Sequence, residues 1–199
     1  MRRLLVLAVL LGLSACSPAE DTGGTTTQPT ESTTTTTTTT VTESESNTAP
    51  ADFEVASPAF GDGATIPVEY TCDGPDISPE LNVVGIPVGA ESLAMIVSDP
   101  DAPVGTWDHW VEFDISIDGT AFDLAEATPP VGTQGVNSWN LTGYMGPCPP
   151  DGEEHRYVFI VFAVDTTLEL PAGVDGDAVR TAMDGHVIDS VEVSALYGG

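Results

Sequence analysis

From Phe53 onward the chain alternates short apolar runs, rich in β-branched residues, with clusters of Gly, Pro and Asp. Four runs have the length and residue types of strands: SLAMIVSD at 92–99, HWVEFDIS at 109–116, RYVFIVFAVD at 156–165 and VIDSVEVSALY at 187–197. The third is almost continuously apolar, which predicts a central strand covered on both faces. VEFDIS within the second alternates as a half-buried strand does. DAVRTAM at 177–183 reads as a helix that Asp175 or Asp177 caps and Gly185 closes. The pattern therefore predicts a mainly β fold of two packed, mostly antiparallel sheets, with one or two short helices near the C-terminus.

The first 50 residues follow a different pattern. MRRLLVLAVLLGLSA, residues 1–15, has a positive start and an apolar run too short to span a bilayer comfortably, so it reads as a secretory leader. Its end, LSAC at 13–16, resembles a bacterial lipobox, in which Cys16 is lipidated and becomes the mature N-terminus; a plain signal peptide is the alternative. Residues 16–50 are Ser, Thr, Pro, Gly and Glu with eight consecutive threonines at 33–40, and they cannot bury enough apolar surface to order themselves. The expectation is a disordered tether of roughly 30 Å reach. It would carry a domain at 51–199, exported and anchored to the outer face of a bacterial membrane.

Charge narrows the partners. The 199 residues include 31 Asp and Glu against 4 Lys and Arg, a formal net charge of −27. Two of the four cations sit in the leader, and the chain contains no lysine. Such a surface cannot displace the counterions of a phosphate backbone, which excludes nucleic acid as a partner.

Two polar clusters interrupt the strands. DPDAPVGTWDHW at 99–110 gathers Asp99, Asp101, Pro103, Trp107 and His109, and GYMGPCPPDGEEHRYVF at 143–159 gathers Gly146, Pro149, His155 and Tyr157. Each leads into a strand, so residues of adjacent loops can converge on one mouth. Two imidazoles can donate to oxyanions, an acid can orient or protonate them, and a phenol adds an O–H. The plainer alternatives are Asp99 and Asp101 as turn residues and His109 as an edge-strand residue. His186 reads as structural at the helix–strand junction, and the NLT match at Asn140 has little weight. After Cys16, the pair Cys72 and Cys148 in an exported chain suggests a disulfide, with two buried thiols as the alternative.

In order, DPDAP, HWV, GPCPPDGEEHRYVF and DGHVIDSVEVSALY resemble the phosphatidylethanolamine-binding protein family, in particular its bacterial branch similar to Raf kinase inhibitor protein. The resemblance also takes in YTCDGPDISPEL at 70–81 and covers residues 53–199. It implies a β-sandwich with a small pocket for phosphate, phosphorylated headgroups or similar anions. On that resemblance Asp99, Pro103, Trp107, His109, Gly146, Pro149, His155 and Tyr157 line the pocket, and Asp101 supports its loop. Two positions depart from the family pattern: Val83 where a tryptophan is common, and Asp114 where an asparagine is.

The expected function is a membrane-tethered, non-catalytic binding module for a small phosphorylated or anionic ligand, without a cofactor. Binding should tighten as pH falls through the imidazole range near 6.5. Two other classes compete. One is a protease or kinase inhibitor acting through surface loops on a protein partner. The other is a metal-dependent hydrolase built on Asp99, Asp101, His109 and His155, which lacks the tight ligand spacing of a catalytic zinc motif.

Overall fold

The computed structural model describes residues 51–198. The leader, the lipobox Cys16 and the tether lie outside the described residues. Within them the elements run β1 (Glu54–Ala56), β2 (Ala64–Thr65), a 3-10 turn (Val68–Tyr70), β3 (Leu81–Val84), β4 (Ser92–Asp99), β5 (Trp107–Ile115), β6 (Ala121–Leu124), β7 (Thr133–Gln134), β8 (Glu154–Val164), α1 (Gly176–Met183) and β9 (Val187–Gly198). They form a three-stranded sheet, β1-β3-β6, and a six-stranded sheet, β2-β9-β8-β4-β5-β7. Every pairing is antiparallel except β2 with β9, where Ala64 faces Ala195.

Period-two alternation sorts the large sheet's side chains between two cores. Leu93, Met95 and Val97 of β4 join Tyr157, Phe159 and Val161 of β8 and meet Leu81, Val83 and Leu124 of the small sheet. Ala94, Ile96, Val111 and Phe113 point the other way, against Val179 and Met183 of α1. With both faces covered, β4 is buried at all eight positions. The continuously apolar β8 is a central strand as its pattern predicts, between β4 and β9.

The expectation for VEFDIS fails. Glu112 is fully buried, because β5 also has a layer on each side. One of its carboxylate oxygens accepts from the backbone N–H groups of Val131 and Gly132, each at 2.6 Å. Its polarity is absorbed by a loop, which periodicity along the strand could not show. Asp114 sits at φ 52° where the β4–β5 register slips, a left-handed position that Asn and Asp tolerate better than most residues. Its carboxylate accepts from Leu168 N at 2.6 Å.

A single α-helix lies near the C-terminus among the described residues; the 3-10 turn is near the start of the domain. Asp175 is the N-cap, accepting from Ala178 N at 2.9 Å. Gly185, at φ 80°, turns the chain toward β9. A Cβ at Gly176 would run into the Asp108 carboxylate, so this first helical position needs glycine to let α1 approach β5.

Candidate functional site

The ends of β4, β5 and β8 bring the two polar clusters together. A hollow of about 180 Å³ opens there, lined by Asp99, Ala102, Pro103, Val104, Trp107, His109, Trp139, Cys148, Pro149, Pro150 and His155. That is the volume of about six waters at ~30 Å³ each, room for a small headgroup rather than an acyl chain.

His109 reaches the hollow through an irregularity of β5. Val97 pairs with Trp110 and Ser98 with Asp108, so His109 is the extra residue of a β-bulge. The segment from the second cluster holds it. Met145 N donates to the His109 carbonyl at 3.1 Å, and the His109 ring approaches the Met145 carbonyl through Nδ1 at 2.7 Å. A carbonyl can only accept, so Nδ1 carries the proton and Nε2 of the neutral ring is an acceptor. Burial, the largest influence, pushes this imidazole below the ordinary histidine value, against the opposing pull of Met145 and Asp99.

His155 is held in the opposite state. Its Nδ1 lies 2.7 Å from Asp99 Oδ2, both side chains being almost fully buried, and its Nε2 lies 3.2 Å from Glu153 Oε2. The Asp99 hydrogen bond is the main cause of a value raised above the ordinary one; burial opposes it and Glu153 adds to it. The two imidazoles are therefore biased in opposite directions, His109 toward the neutral ring and His155 toward the imidazolium. The single pH window expected from sequence divides in two, one below and one above 6.5.

The other expected residues are distributed as follows. Asp99 also accepts from Asp101 N at 2.8 Å, and Asp101 accepts from Arg156 N at 2.8 Å, which makes Asp101 a brace of the 100–106 loop outside the hollow. Pro103, Trp107 and Pro149 are in the wall. Tyr157, expected in the wall, is not there: it is fully buried between the histidines, its ring centre 5.2 Å from that of His109 and 6.5 Å from that of His155. Its hydroxyl and Trp107 Nε1 have no hydrogen-bond partner among the described residues. Gly146 is not in the wall. It is buried against Tyr70, its N–H donates to Asp76 Oδ1 at 2.6 Å, and a Cβ there would strike the Tyr70 carbonyl. Trp110 points into the core and meets Tyr144 edge-on. His186 bonds Asp165 at the α1–β9 junction, away from the hollow.

A disulfide joins Cys72 to Cys148, with Cα atoms 5.5 Å apart. With Cys72 N donating to Pro147 O at 3.1 Å and Tyr144 O–H to Tyr70 O at 2.7 Å, it fixes the loop that carries Met145 and Pro149. Opposite it, Arg180 of α1 grips Asp108 with two nitrogens at 2.9 and 2.6 Å, next to His109.

Sequence reasoning missed two contributors. Trp139, ring centre 5.0 Å from His109 and 5.3 Å from Trp107, walls the hollow from a loop that carries neither quoted motif. Glu153 lies within GPCPPDGEEHRYVF, but an acid in a Gly-Glu-Glu turn carries no signal of contact with an imidazole. Among the described residues no group of three or more His, Cys, Asp and Glu is arranged to hold a metal ion.

Fold and site together define a two-sheet β-sandwich with one small hollow, flanked by histidines, at the strand ends. The chain belongs to the phosphatidylethanolamine-binding protein family, whose family model matches residues 56–198. A UPF0098 protein of Methanothermobacter thermautotrophicus is 46% identical over 145 residues, covering 70% of this chain and 94% of its own. Another from Chlamydia pneumoniae is 42% identical over 149 residues, covering 72% and 97%. Among solved structures, a putative phosphatidylethanolamine-binding protein homologue from Chlamydia trachomatis superposes with a TM-score of 0.70 at 37% identity, over 74% of this chain and 98% of that one. Escherichia coli YbcL, described as a member of the mammalian PEBP family, gives 0.68 at 29% identity, over 75% and 99%.

Proposed function

We propose that the domain is a non-catalytic binding module for small phosphorylated or otherwise anionic ligands, held at a membrane by a lipidated Cys16. The observation that carries the binding reading is the Asp99–His155 ion pair in the wall of the hollow, 2.7 Å long and buried. Asp99 favours the protonated form of that ring and fixes its direction, which makes protonated His155 a charged donor at the edge of a space sized for a headgroup. Distant surface acids weigh little against it, since their fields are screened within about 8 Å at physiological salt. His109 complements it: a neutral Nε2 can accept from a hydroxyl or ammonium group elsewhere on the ligand.

The anchor reading rests on the leader and LSAC pattern. The binding reading is tested by titrating inorganic phosphate and phosphoethanolamine while following the ring protons of both histidines by NMR. Binding should be lost as pH rises through the raised His155 value, and His155→Gln should weaken it at least tenfold, the loss of a charge-assisted hydrogen bond of about 1.5–3 kcal/mol. Affinity unchanged by that substitution would overturn the reading.

A further inference from the structure

His155 is in the wall of the hollow, and its one ring nitrogen not held by Asp99 faces Glu153, a residue outside that wall. We propose that the Glu153 carboxylate is a tethered competitor for the anion position at His155 Nε2, and that it lowers the apparent affinity of every anion that binds there by the same factor. The inference rests on the anion-binding reading above and deepens it.

His155 has two ring nitrogens, and Asp99 takes Nδ1. The remaining donor, Nε2, already faces Glu153 Oε2 at 3.2 Å. The backbone that presents Glu153 is fixed. Gly152 turns the chain at φ 80°, Glu153 N donates to Pro150 O at 3.1 Å, and the Glu153 carbonyl fills the space a Cβ on Gly198 would need. The side chain is free in comparison, 59% exposed against 5% for the ring it touches.

A fixed backbone two residues from the histidine supplies the carboxylate at high effective concentration. The contact itself is weak. It is longer than the roughly 2.7–2.9 Å of a good charge-assisted hydrogen bond, and an exposed carboxylate regains water when it leaves. A replaceable internal ligand results.

While Glu153 occupies Nε2 that position is closed to any free anion, so apparent affinity falls by the open fraction for a carboxylate and a phosphate alike. A phosphate monoester near its dianionic form brings close to two charges and three strong acceptor oxygens, so it is the stronger ligand with or without Glu153. The other charged or titratable groups around His155 do not repeat this contact. Asp101 is committed to Arg156 N, Tyr197 on β9 bonds Asp73, and Glu154 has no bond to the ring among the described residues. The surplus negative charge at Nε2 is therefore Glu153, and its removal leaves one carboxylate, Asp99, to one imidazolium.

The test uses Glu153→Gln with inorganic phosphate, phosphoethanolamine and acetate as probes, at neutral pH. Inorganic phosphate should bind roughly three- to tenfold more tightly to the variant, the gain expected when a partly closed competing state is removed. Acetate should gain by the same factor, leaving the phosphate-to-acetate affinity ratio unchanged. Because Glu153 is exposed the variant keeps the fold, and the Nε2 resonance of His155 should shift in the absence of ligand. An unshifted resonance, or phosphate affinity equal to or weaker than the wild type's while His155→Gln still abolishes binding, would overturn the competitor role and leave the binding module standing. Phosphate binding absent from every variant, or indifferent to His155→Gln, would overturn both.

Discussion

Asp99 is the residue on which the charge of the site depends. Its side chain meets His155 Nδ1 through one oxygen and Asp101 N through the other, so the same carboxylate sets a ring's charge and a loop's shape. The linkage signs of the two histidines are opposite. His155, raised in the folded state, contributes stability that is fully present below the ordinary value near 6.5 and is lost as pH rises through its folded value. His109, lowered by burial, favours the neutral ring, so its contribution is lost as pH falls below 6.5. Asp99→Asn removes the largest influence on His155 and a smaller raising influence on His109. Both rings should then titrate at lower pH, and the stability lost in alkali should shrink. Ring-proton titrations with urea midpoints on either side of neutrality check this; an unmoved His155 would show that Asp99 does not govern it. Both histidines were readable as residues in DPDAPVGTWDHW and GEEHRY. Their charge states were not, because these depend on the Met145 carbonyl, 36 residues from His109, and on a depth of burial that no local pattern records.

At the scale of elements, the strands that carry the site were legible almost to the residue. SLAMIVSD is β4 without change, and RYVFIVFAVD differs from β8 only at its ends. Those runs announce themselves because both their faces are apolar. β5 was misjudged for a physical reason: one of its core-facing positions is a glutamate, and its two register slips are invisible to a period-two count. Glu112 faces Gln134 across the β5–β7 pairing. One Glu112 oxygen serves Val131 and Gly132, while the other, together with both polar atoms of the Gln134 side chain, is buried without a partner among the described residues. Glu112→Gln keeps the acceptor for the two N–H groups and turns the orphaned oxygen into a donor that the side-chain oxygen of Gln134, directly opposite on β7, can accept once the two amides turn to meet. The variant should be more stable by about 1 kcal/mol, the net worth of one such hydrogen bond. Denaturant unfolding measures it. A loss of stability would mean that the carboxylate has a partner, such as an ordered water, that the amide cannot replace.

For the molecule as a whole, charge and attachment are connected. A formal charge of −27 with no lysine leaves Arg156 and Arg180 as the only strong cations after Arg3. Arg180 is already bound to Asp108. Anionic lipid surfaces attract proteins through basic clusters, each Lys or Arg near the surface being worth about 1 kcal/mol, and this chain has no such cluster to offer. Among the described residues no helix is long and apolar enough to cross a membrane. Attachment by the proposed route therefore falls entirely on acyl chains at Cys16, where each buried methylene contributes about 0.8 kcal/mol. Two consequences separate this from peripheral adsorption. Wild-type protein expressed with its leader should stay with the membrane pellet through high-salt washing, since methylene burial is not screened as a charge contact would be. Cys16→Ala should appear wholly in the soluble exported fraction, even at low salt, with the phosphate affinity of the domain unaltered. A Cys16→Ala protein that still sediments with membranes after its leader has been cleaved would show that the acidic domain has an attachment of its own, and the lipid anchor would lose its place in the function.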